Sequence, residues 1–245
     1  MAQPTIIGVG TNTKGYTPDA SPGDSGSTRV FTIAIPANAK TMIVTAGLDR
    51  DETIRSFSSI ALEGVTGAEE IIEIDMSPSA SPYRTSRAAI YDLTAAGAAT
   101  GTLTATLDGS STDKALLGVV CTDGYLESFT VTQDRQYQDG QITTHSGNMA
   151  NNTMVYMMVS DRDTTNIAYA SPASELYDVQ TSNDGLSVTA ASQLTTSNDT
   201  KTIAFSGVTG DADGSDLTLL ISSQPNSFAD IDPRGDIISH DIITN

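Results

Sequence analysis

The stretch GDADGSD, Gly210 to Asp216, sets three carboxylates, Asp211, Asp213 and Asp216, about Gly214. Acids at alternate positions around a glycine turn can converge on Ca2+, a hard cation that takes about six to eight oxygens. The EF-hand pattern is not met, because the bidentate Glu that closes such a loop is missing. The competing reading is an acidic turn between strands. Ca2+ is the one cofactor the sequence suggests. A second acidic motif occurs twice: TMIVTAGLDRDET from Thr41 returns as TMVYMMVSDRDTT from Thr153. Its DRD ending reads first as a solvated turn in which Arg screens two acids. A cation held by Asp49, Asp51, Asp161 and Asp163 is the sharper alternative. Glu69/Glu70 and Glu73/Asp75 have the residue types of a glycosidase pair. Alternation puts some of them on one face, but nothing fixes the opposing geometry such an enzyme needs.

Other motifs carry less. GDSGS, Gly23 to Ser27, resembles the nucleophile stretch of chymotrypsin-like serine proteases. A triad also needs a histidine base and a carboxylate on a folded scaffold. The only histidines, His145 and His240, follow Ser25, whereas that family places them before the serine. A glycine-rich linker explains the stretch better. RGD at Arg234 to Asp236 is a three-residue match of the kind that arises by chance. Neither histidine has metal-ligand spacing around it. No phosphate-binding or dinucleotide fingerprint is present, so the expectation is a protein without catalysis.

Twelve basic against 30 acidic residues give a net charge of −18. That field repels nucleic acid and anionic lipid, since phosphate contact needs Lys and Arg to release counterions. Neither nucleic acid nor membrane is an expected partner. Cys121 is the only cysteine and lies in the apolar run ALLGVVCTD, so it reads as a small buried side chain. The N-terminus lacks a secretory pattern, and no run approaches the ~18 apolar residues of a membrane span. Synthesis in a reducing cytoplasm is expected.

The elements that must position these residues read as strand after strand. VFTIAIP, TMIVTAGL, FSSIALEG, EEIIEIDM, RAAIYDL, GTLTATLDG and ALLGVVCT are short and alternate or are β-branched. Turn clusters such as SPSASPY and DGSSTD separate them at sandwich-like spacing. After the returning phrase come ELYDVQT, LSVTAASQL, KTIAFSG and DLTLLISS in a similar order. The fold class expected is all-β: a duplicated antiparallel β-sandwich, jelly-roll-like, with flexible N- and C-terminal arms. The boundaries are an arm over 1–28, a first half over 29–123, a second over 124–223 and a tail over 224–245. TMIV and TMVY are expected to be equivalent central strands, apolar on both faces. Whether the halves form two lobes or one larger sandwich is left open.

The order VFTIAIPANAKTMIVTAGL, FSSIALEGV, AAIYDLTAAGAATGTLTATLDG, LLGVVCTDG resembles jelly-roll modules of marine bacteriophage and prophage structural proteins. The likeness is one of strand order and turn style. It implies a non-enzymatic virion protein, a head decoration, spike or fibre component that forms a homo-oligomer and contacts other virion proteins. Its place would be the virion, after synthesis in the host cytoplasm. A module binding host surface glycans is the alternative. It needs exposed aromatics, and seven tyrosines from Tyr83 to Tyr177 are available while Trp is absent. The arms carry PTIIGVG and DIISHDIITN, strand-like pieces suited to joining a sheet edge on a neighbour. Ile237, Ile238, Ile242 and Ile243 are the expected assembly contacts.

Overall fold

The computed structural model describes residues 2–11, 26–48, 56–77, 85–111, 115–137, 140–143, 151–160, 164–180, 186–197, 200–208 and 212–225. All regular structure among them is β, with every paired strand antiparallel. The first eight strands are β1 Ile6–Thr11, β2 Gly26–Ile35, β3 Thr41–Leu48, β4 Phe57–Glu63, β5 Glu69–Asp75, β6 Thr85–Asp92, β7 Ala99–Ser111 and β8 Ala115–Thr122. The next eight are β9 Tyr125–Tyr137, β10 Gly140–Thr143, β11 Asn152–Ser160, β12 Thr164–Tyr169, β13 Ser174–Gln180, β14 Ser187–Thr195, β15 Thr202–Val208 and β16 Ala212–Ser222. No helix among the described residues is long and apolar enough to cross a membrane.

Two five-stranded sheets run β1-β8-β3-β6-β5 and β13-β14-β11-β16-β9, and two three-stranded sheets run β2-β7-β4 and β10-β15-β12. Raising each number of the first large sheet by eight gives the second, written from the opposite edge. The same shift turns β2-β7-β4 into β10-β15-β12.

Three apolar cores join four layers. Phe31, Ile60 and Leu103 of the first small sheet pack on Met42, Val44 and Leu117 of the first large one. The two large sheets meet through Ile43, Ile90 and Val120 on one side and Val155, Met157 and Leu219 on the other. Met154, Tyr156 and Met158 then turn to Ile203 and Phe205 of the second small sheet. The order is therefore small, large, large, small. The repeated phrase explains itself here. β3 and β11 are the central strands of the large sheets, buried at every residue. Alternate side chains enter different cores, which is why both strands read as continuous apolar runs. The halves are stacked rather than parted into two lobes.

Two sequence expectations change. Ala212–Asp216, read as a turn, is the first part of β16 and lies in register with β11, Gly214 opposite Ser160. Residues 6–11 and 26–28, counted with the N-terminal arm, belong to β1 and β2. β1 completes the edge of its own sheet along β8. Asp123 fastens its start, accepting hydrogen bonds from Thr5 N at 2.6 Å and Thr5 Oγ1 at 2.9 Å. The strand-like piece at this end thus finds its sheet edge within the chain.

Candidate functional site

The densest charge chemistry sits where β4, an edge of a small sheet, passes the edge pair β5–β6 of the large one. Glu73 on β5 lies opposite Ala89 and Asp75 opposite Arg87 in the β5–β6 register. Glu73 Oε1 accepts from Arg87 Nε at 2.7 Å and from the backbone N–H of Ile60. Arg87 also donates through Nη1 to Phe57 O at 3.0 Å, and Tyr91 Oη donates to Ile60 O at 2.6 Å. The amide and carbonyl of Ile60 therefore bond to side chains of the facing sheet. This closes the open side of the sandwich with ionic and hydrogen-bonded stitches, where an unpaired backbone group would be costly.

Burial, then repulsion from Glu73, holds the Glu70 carboxyl above its usual range, with Arg87 acting the other way. Burial, reinforced by Glu70 and Glu73, pushes the Tyr91 phenol far up. The Tyr91 shift takes that phenol further from ionising at neutral pH. The carboxylates of Glu73 and Arg87's guanidinium are engaged in structure. Burial alone pushes the Cys121 thiol up to about 12, so it stays protonated and inert.

The second half repeats the stitch with other residues. Asp178 Oδ2, on β13, accepts from Ile167 N on β12 at 2.7 Å. Thr189 Oγ1 donates to Tyr177 O at 3.0 Å and lies 3.2 Å from Tyr169 Oη. Burial raises the Asp178 carboxyl, opposed by the Ile167 bond and aided by Glu175.

Of the acids read as a calcium triad, Asp211 lies outside the described residues. Asp213 and Asp216 stand on opposite faces of β16, three residues apart on a pleated strand. Ser215, on the face of Asp213, donates its Oγ to Met76 O of the first half, whereas Asp216 faces the second small sheet with Met158. The two are not brought together. No three His, Cys, Asp or Glu side chains gather among the described residues. Asp49, Asp51, Asp161, Asp163, His145, His240, Arg234–Asp236 and Ser25 of GDSGS lie outside them, as do Ile237, Ile238, Ile242 and Ile243. Tyr91, Tyr156 and Tyr177 are buried, and Tyr125 lies beneath Lys40, whose Nζ is 4.4 Å from the ring centre.

Arg87 and Asp178 were not singled out by sequence. The available signal was one cation inside the apolar strand RAAIYDL and one acid inside ELYDVQT. The chain matches no protein-family model, no curated protein and no solved structure.

Proposed function

We propose that the protein is a non-enzymatic structural component of a bacteriophage virion, built from a duplicated jelly roll and assembling as a homo-oligomer. The observation that carries this reading is nested strand pairing that occurs twice. In the first eight strands β1 pairs with β8, β2 with β7 and β3 with β6, while β4 touches β5. In the next eight β9 pairs with β16, β10 with β15 and β11 with β14, while β12 touches β13. A long antiparallel hairpin rolled on itself has this nesting, and jelly rolls of this kind build capsid and lectin domains. One departure is that β5 and β13 hydrogen-bond into the large sheets.

The charged groups at the seam are spent on closing the sandwich, which favours a scaffold over an enzyme. Burial of three tyrosines and the absence of Trp weigh against sugar stacking. The tail with Ile237, Ile238, Ile242 and Ile243 is the segment proposed to bind a neighbouring subunit or virion protein. Strand addition would bury these isoleucines and satisfy main-chain groups.

Mass spectrometry of purified particles from the producing host tests the role, and this chain is expected at structural copy number. Its absence from particles rejects the reading. Deleting 226–245 is expected to leave the far-ultraviolet circular dichroism unchanged while reducing oligomer mass in light scattering. An unchanged oligomer removes the tail from the assembly.

A further inference from the structure

Four sheets give the described residues eight edge strands. A free edge is a row of backbone donors and acceptors onto which another strand can pair, so proteins shorten, bend, charge or cover theirs. Seven of the eight edges are treated in this way. β10 has four residues and β1 six, the latter broken by a register shift between Ile6 and Gly8. β5 carries Glu69, Glu70, Glu73 and Asp75. β13 carries Glu175 and Asp178, with a shift between Glu175 and Tyr177. β9 carries Glu127, and its pairing with β16 shifts at two places. On β4 the backbone of Ile60 is held by Glu73 and Tyr91, and on β12 that of Ile167 is held by Asp178.

β2 has none of these defences. It is ten residues long, contains no proline, and pairs with β7 without a shift from Thr28 to Ile35. Its one charged residue, Arg29, is fully buried, whereas Val30 is 55% exposed. Among the described residues no strand lies on its outer side. β10, which takes its place in the second half, is too short to offer the same edge.

The surface along β2 is also free of charge. Thr28, Val30 and Thr32 stand opposite Thr106, Thr104 and Thr102 and share the outer face of the small sheet with them. Arg29 is the one charged residue in the eight consecutive pairs from Thr28 to Ile35. A chain of net charge −18 repels its own copies, and the cores of protein interfaces are depleted in charge. Two copies therefore meet along this neutral strip with little repulsion.

We infer that β2 of one copy pairs antiparallel with β2 of a second about a two-fold axis near Val30. The two small sheets then join into one of six strands, β4-β7-β2-β2-β7-β4. The inference rests on the homo-oligomer proposed above and names a surface that makes it. A second copy fits because the strand complements itself. Val30 falls opposite the partner's Val30 and Thr28 opposite the partner's Thr32, so small neutral side chains meet on the outer face. The contact uses up the edge in both copies, so it closes as a pair and does not propagate as a filament.

The test measures mass by light scattering on the full chain. Val30→Lys places a charge from each copy at the axis, and at this exposed position it is expected to leave far-ultraviolet circular dichroism and Tm unchanged. The mass is expected to fall about twofold, as loss of one two-fold contact requires. Val30→Thr, neutral and β-branched, is expected to keep the mass of the unaltered chain. Cys121 is buried with its thiol protonated, so Val30→Cys adds the one reactive thiol. Facing residues in an antiparallel pair have Cα atoms about 4.5–5.5 Å apart, within disulfide reach, so oxidation is expected to link two chains. Leu194→Cys, 60% exposed in the second half, is expected to stay unlinked. An unchanged mass in Val30→Lys overturns this edge and leaves the homo-oligomer standing, whereas a monomeric unaltered chain overturns both. Deleting 226–245 from Val30→Cys is expected to leave the link intact. Its loss there would assign the edge to the tail and overturn the β2 pair.

Discussion

Thr41 and Thr153 make the same bond to opposite halves of the molecule. Thr41 Oγ1 donates to Gly124 O at 2.8 Å, just before β9, and Thr153 Oγ1 donates to Pro4 O at 2.6 Å, just before β1. Each threonine opens a central strand, and each reaches the segment that leads into the other half's first strand. Contacts of this kind, i to j and j to i, are the mark of an isologous interface, here within one chain.

Replacing either threonine by valine keeps the β-branched shape and removes the donor. Thr41→Val and Thr153→Val are each expected to lower unfolding free energy by about 1–2 kcal/mol, because a buried carbonyl loses its partner. Urea denaturation of the single variants measures this. Loss in one and none in the other would break the equivalence.

Arg87 is worth more to Glu73 than Glu73 is to the fold as a charge. Arg87→Met leaves a largely buried carboxylate without its cation and is expected to destabilise by about 3 kcal/mol. Glu73→Gln keeps an acceptor for Ile60 N and is expected to cost less, about 1–2 kcal/mol. Chemical denaturation that reverses this ranking would show that the seam is not held by the ion pair.

Close approach of the large sheets depends on missing side chains. A Cβ at Gly118 would meet the Tyr177 hydroxyl and lie 2.8 Å from Val188 Cγ1. Gly118→Ala is therefore expected to cost about 1–3 kcal/mol through overpacking. Gly97, with nothing within 4 Å of such an atom, is the control, and Gly97→Ala is expected to leave Tm nearly unchanged. Equal melting of the two variants would refute the packing argument.

Glu70 and Asp178 both titrate above their ordinary values of 4.5 and 3.8, chiefly through burial. A raised acid binds its proton more tightly when folded, so these groups make stability fall as pH rises from the ordinary value through the folded one. Asp178→Asn is expected to flatten that decline in melts taken from pH 3.5 to 7 without divalent cation. A steeper decline in the variant would reverse the assigned sign.

Strand identity was legible where one face met water or where apolar residues ran on. GTLTATL alternates because β7 is half covered, with Leu103, Ala105 and Leu107 buried between threonines. The acidic run Ala212–Asp216 was misread because composition signals turns locally, while pairing with β11 and β9 is a long-range gain. Arg87 and Asp178 were hidden for a related reason. Each is one polar residue within an apolar strand, and its partner, Glu73 or Ile167, lies on a different strand.

The sequence by itself determined the all-β class, the burial of Cys121 and the place of the two TM phrases as central strands apolar on both faces. Those follow from side-chain period and apolar content, which act along the chain. Tertiary structure decided that the large sheets stack face to face, that β1 closes its own sheet, and that Ser160 is buried opposite Ser187. These depend on which faces meet across space, and a strand's residues alternate in the same way whatever lies on either side.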